Sequence, residues 1–127
     1  MNIEEWIVEK LSTSSIATYT TTIKPEFLPL GVKPPAIIYN SIGFDKNRKQ
    51  KMRVISLTCL HNSKSQVESM NDSLYTLFDT STAYMRESSS NIYIDSALIL
   101  QNGVGGFDNE NKYWYRVLDI RFWYHNN

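Results

Sequence analysis

A chain of 127 residues, 42% hydrophobic and 20% charged, is long enough for one continuous core and too ordinary in composition for a disordered or fibrous protein, so a single domain over 1–127 is expected. Thirteen Lys and Arg against thirteen Asp and Glu leave a formal net charge of zero, which argues against affinity built on many phosphate contacts and leaves little long-range repulsion between copies. Cys59 is the one cysteine, which excludes an internal disulfide and suits a reducing, cytoplasmic setting; the acidic N-terminus is unlike a signal peptide, and no apolar run approaches the roughly 20 residues that span a bilayer.

Ile3, Trp6, Ile7 and Leu11 recur at helical spacing with Glu4, Glu5, Glu9 and Lys10 on the other side, which predicts a short amphipathic helix capped by Asn2 and ended by the run Ser12 to Ser15. The Thr, Tyr and Ile content of Ile16 to Ile23 predicts a first strand. Pro25, Pro29, Gly31, Pro34 and Pro35 then demand an irregular connection, because proline cannot donate to a ladder. Ala36 to Tyr39 reads as a short strand, and Ser41 to Gln50 as an exposed loop carrying Lys46, Arg48 and Lys49. It leads into a strand over Lys51 to His61, with Ile55, Leu57 and Cys59 on one face and Met52, Val54 and Leu60 on the other.

Ser63 or Ser65 is placed to cap a second helix whose stripe is Val67, Met70, Leu74, Leu77 and Phe78. Asn91 to Leu100 and Tyr113 to Tyr124 are the last two predicted strands, joined by a loop over Gln101 to Lys112 that Gly103, Gly105 and Gly106 loosen and Asp108 and Glu110 make acidic. In the final strand Leu118, Ile120 and Phe122 share one face, and Asp119, Arg121, Val117 and Trp123 share the mixed opposite one. The expected fold class is therefore α+β, an antiparallel or mixed sheet of four to five strands with two helices packed on one face.

The residues give no catalytic signature. Gly103-Val104-Gly105-Gly106 precedes a strand, so no helix N-terminus is there to receive a phosphate, and a mobile hairpin tip is expected. His61 and His125 lack neighbours at metal-ligand spacing and read as exposed surface residues; Cys59 and His61 point in parallel from one strand, and Cys59 reads as a small buried hydrophobe. Nothing pairs Asp95, Asp108, Glu110 or Asp119 for acid–base hydrolysis. The aromatic group Tyr113, Trp114, Tyr115, Phe122, Trp123 and Tyr124 lacks a basic stripe and suits core and protein interface. No catalytic residue, cofactor or metal ligand is expected.

The layout resembles the tail terminator, or tail completion, family of long-tailed bacteriophages. The likeness rests on the N-terminal helix, the Pro-rich segment running into Pro34-Pro35-Ala36-Ile37-Ile38-Tyr39, the strand Arg53-Val54-Ile55-Ser56-Leu57, the helix with Val67, Met70 and Leu74, and the closing strand Tyr115 to Phe122. The long polar loops depart from the family pattern. The resemblance implies a virion subunit, made in the host bacterial cytoplasm, that closes into a ring of identical copies, typically a hexamer, on the head-proximal end of the tail tube. Its implied partners are copies of itself, the tail tube protein and the head connector or neck protein, with no membrane and no sequence-specific nucleic acid, though DNA is free to pass through the ring. Lys46, Arg48 and Lys49, facing acidic groups such as Asp108 and Glu110 on a neighbour or on an adjoining tail protein, and Asp119, Arg121 and Trp123 are the expected interface. The alternatives are a head–tail joining or head-closure protein and, from another class, a small-molecule or nucleic-acid binding module.

Overall fold

The first helix, α1 (Ile3–Ser12), begins at a reciprocal cap: Asn2 Oδ1 accepts the Glu5 amide at 2.8 Å, and Glu5 Oε1 accepts the Asn2 amide at 3.3 Å. Its stripe Ile3, Trp6, Ile7 and Leu11 is buried. The computed structural model describes residues 2–45, 51–79, 87–89 and 91–126. After α1 the chain departs from the strand expected over Ile16 to Ile23. A 3₁₀ turn occupies Ser15–Thr18, and β1 is only Ile23–Pro25. The cause is local: Ser14 Oγ accepts the Ile16 amide at 3.2 Å, Thr18 Oγ1 donates to the Ser15 carbonyl at 2.7 Å, and Thr20 Oγ1 accepts the Thr22 amide at 3.0 Å. Hydroxyls that satisfy nearby backbone compete with a strand ladder, and here they win.

Two strands are longer than their composition suggests. β2 runs Ala36–Asp45, so Ser41 to Asp45 belong to a strand instead of a loop, with an irregularity between Ser41 and Gly43; Lys46, Arg48 and Lys49 lie outside the described residues. β3 spans Lys51–His61 as expected, and α2 (Lys64–Phe78) is capped by Ser63, whose Oγ accepts the Gln66 amide at 3.4 Å. A short β4 (Glu87–Ser89) follows.

β5 covers Ile92–Asp108, and the predicted flexible loop over Gln101 to Lys112 shrinks to a turn at 109–112 before β6 (Tyr113–Asn126). Register shifts at Ile94/Ser96, Ile99/Gln101 and Asn102/Val104 keep β5 paired along β6. Gly103 takes φ 84° at the last of them, and Gly105 passes so close to β6 that a Cβ there would lie within 2.9 Å of the Tyr115 carbonyl carbon. These glycines serve a tight strand pair, not a mobile tip.

The strand order is β1-β2-β3-β6-β5-β4, antiparallel throughout except for the parallel β1–β2 pair. Both edge strands, β1 and β4, are three residues long. The result is the mixed α+β sheet expected, with both helices on one face. Trp6 of α1 and Phe78 of α2 meet Phe122 of β6 at ring separations of 5.9 and 5.4 Å, both edge to face. Around that trio Ile55, Leu57, Cys59, Leu118 and Ile120 are fully buried. Two ion pairs tie helices to the same sheet, Glu4–Arg53 at 3.7 Å and Glu68–Arg116 at 2.9 Å.

Candidate assembly surface

The groups that carry chemistry are dispersed. Cys59 is buried, and burial pushes its thiol pKa up to about 12, so it is neutral and unreactive at ordinary pH. His61 is half-buried rather than exposed, because its Nδ1 accepts the Ser63 amide at 2.9 Å and helps start α2. His125 also departs from the exposed tail expected: it belongs to β6 and stacks on Tyr93 at 5.0 Å with a 29° interplanar angle. Among the described residues no three His, Cys, Asp or Glu side chains group closely enough to hold a metal ion. An open groove of about 450 Å³ beside α2 is lined by Ser15, Asp72, Ser73, Thr76 and Leu77, which bring three hydroxyls and one carboxylate but no histidine, cysteine or lysine.

The expected interface residues fall in two places. Asp119, Arg121 and Trp123 lie on the sheet face that carries no helix, since their β6 neighbours Leu118, Ile120 and Phe122 are the ones in the core. There the Arg121 guanidinium stands 5.9 Å from the Trp123 ring, and Asp119 Oδ1 and Arg121 Nε are buried without a hydrogen-bond partner among the described residues. Asp108 and Glu110 sit at the turn between β5 and β6. Asp108 Oδ1 accepts the amides of Asn111 at 3.0 Å and Glu110 at 2.9 Å, and these bonds, those from Asn111 foremost, hold its carboxyl below the usual range.

The register sets the strand ends that flank the two segments at opposite ends of the β3–β6 pair. Residues 46–50 connect Asp45 to Lys51, and Lys51 pairs with Tyr124, whereas the 109–112 turn adjoins Trp114, which pairs with His61. Ten strand steps separate those pairs, about 34 Å along an antiparallel sheet.

Sequence reasoning missed a more conspicuous feature. Leu98, Leu100, Val104 and Phe107 of β5 are all exposed, between 37% and 51%. From Leu98 to Asp108 no described strand lies along the outer edge of β5, because β4 pairs only with Ile92–Ile94. Val104 and Phe107 fall inside the segment that composition marks as a polar loop; the alternation Leu98, Leu100 was the signal available. At the far end of β5, Phe107 packs on Trp114 at 4.9 Å, and Lys64 Nζ sits 5.6 Å over the Trp114 ring.

In comparisons with known proteins, no family model matches the chain and no curated protein sequence matches it.

Proposed function

We propose that the chain is a structural subunit of a bacteriophage tail, one that caps the head-proximal end of the tail tube as a ring of identical copies, stops tube growth and offers a docking surface to the head connector. The observation that carries this reading is the set of exposed apolar side chains along β5, with Leu98 and Val104 on the helix-free face opposite Arg121 and Val117, Leu100 at the register shift between them and Phe107 on the other face against Trp114, at the margin of a sheet whose helices occupy one face only. Large apolar side chains exposed along one strand at a sheet margin mark a surface that another protein covers. The order of elements, helix then strands then helix then a closing hairpin, is the order on which the family resemblance rests.

The test is tube capping. The purified chain is added to tail tube protein from the same genome while that protein polymerises, and tube lengths and ends are scored by electron microscopy. Ring-shaped caps at one end and arrested tubes are the expected result. Tubes that grow unchecked and uncapped at saturating concentrations of the chain overturn the proposal.

A further inference from the structure

Among the described residues, the large exposed apolar side chains divide between two opposite edges of the sheet. Leu98, Leu100, Val104 and Phe107 stand on β5. The others are Phe27 at 68% and Leu30 at 105%, in the connection leaving β1, and Ile42 at 55%, at the irregularity in β2. In the strand order these two sets lie at opposite ends. The four long strands β2, β3, β6 and β5 alternate in direction, so β2 and β5 run opposite ways. Setting β5 of one copy beside the β1–β2 edge of the next therefore continues the antiparallel alternation with every copy facing the same way.

From this we infer that a second copy of the chain is the partner of the β5 edge, and that it docks through its β1–β2 edge, head to tail. This deepens the ring reading proposed above and rests on it. An isologous β5–β5 contact would bury one apolar set and leave Phe27, Leu30 and Ile42 in water, whereas the head-to-tail contact covers both sets with one interface. Two different patches on each copy are what a rotation needs to generate a closed ring. The charges agree: β5 carries Asp95 and Asp108 and no cation, and β1 brings Lys24. Side chains rather than a continuous ladder carry the contact, because Pro25 has no amide hydrogen, its carbonyl is taken by the Phe27 amide at 2.7 Å, and β5 is interrupted by its register shifts.

Two variants separate this contact from others. One blocks β5 with Leu98→Lys and Val104→Lys; the other blocks the opposite edge with Leu30→Lys and Ile42→Lys. All four positions are exposed, so both variants should keep the wild-type circular dichroism and melting temperature. Each alone should stay monomeric at ten times the concentration at which wild type assembles, by sedimentation velocity. Their equimolar mixture should give a dimer and nothing larger, because each copy retains one good edge. A mixture that stays monomeric while wild type assembles, or a β5-blocked variant that still assembles alone, overturns the edge contact and leaves tube capping standing. Wild type that assembles through these edges yet caps no tube leaves the contact and removes the proposed function. Wild type that stays monomeric at every concentration overturns both.

Discussion

Among the described residues, Asn71 is the one amide buried in the helix–sheet core, 4% exposed on α2 between Met70 and Leu74. Its Nδ2 donates to Asn102 Oδ1 at 2.6 Å, but its own Oδ1 is buried without a hydrogen-bond partner among the described residues. Replacing it by Leu removes one hydrogen bond, a net loss of about 0.5–1.5 kcal/mol, and removes an orphaned acceptor whose desolvation costs about 1–3 kcal/mol. Asn102 is exposed, so its released oxygen turns to water. The balance favours the variant: Asn71→Leu should stabilise the fold by about 1 kcal/mol, raising the melting temperature by about 4 °C for a chain of this size. Urea unfolding with an unchanged m value is the assay. The control is Asn102→Ala, which strands the whole buried amide and should cost about 1–3 kcal/mol in the wild type and almost nothing beside Asn71→Leu. If Asn71→Leu instead destabilises by 1 kcal/mol or more, the orphaned oxygen does not outweigh the lost hydrogen bond and the reasoning fails.

Gly105→Ala should lose about 2 kcal/mol or more in urea unfolding, because its Cβ meets backbone of Tyr115 and Arg116, which cannot move without breaking the β5–β6 ladder; a neutral result would show the strands are further apart. Asn2→Ala removes the side-chain half of the α1 cap and should cost about 1 kcal/mol in the same assay. Cys59 should resist a thiol reagent in the native protein at pH 8 and react fully in denaturant. Its folded thiol ionises only near about 12 while an unfolded one ionises near about 8.5, so its stabilising contribution is full below the unfolded value and lost as pH rises from there through the folded one. Wild type should accordingly lose stability faster than Cys59→Ala above about pH 9.

The parts legible in the sequence were those fixed by periodicity against the core. Ile3, Trp6, Ile7 and Leu11, then Val67, Met70 and Leu74, fall on their helix stripes because each contacts one hydrophobic layer, and Leu118, Ile120 and Phe122 alternate for the same reason. Asn71 within the second stripe was invisible, since an isolated amide at a stripe edge reads as solvent-facing. Ile16 to Ile23 failed where β propensity met hydroxyls that bond backbone groups two or three residues away. Gln101 to Asp108 failed in the opposite sense: three glycines read as a loop, yet glycine is what a bulged strand pressed against its neighbour requires. That second error hid the candidate surface, because reading the segment as a polar loop dissolves the apolar side chains that continue along β5 through Val104 on one face and Phe107 on the other.

Edges and ends of this sheet point in perpendicular directions, and this changes what the charged segments can do. The proposed contacts between β5 and the β1–β2 edge would add copies across the strands. Contacts at the strand ends that flank residues 46–50 and at the turn bearing Glu110 would instead add layers along them, since those ends sit at opposite ends of the β3–β6 pair. In a ring closed through its edges, every copy presents the strand ends at Asp45 and Lys51 toward one rim and Asp108 and Glu110 toward the other. Charges on a rim set encounter rate and register with whatever docks there, and contribute little to closure. Changing Lys46, Arg48 and Lys49 to Glu should therefore leave self-assembly within about twofold of wild type at any salt concentration, while slowing attachment of the partner at that rim. That slowing should fade as salt rises toward about 1 M, where screening acts within about 3 Å. Sedimentation velocity reads the first effect and the rate of tube capping, or of connector binding, reads the second. Loss of self-assembly at low salt would mean the basic segment lies between neighbouring copies, and that the edges alone do not close the ring.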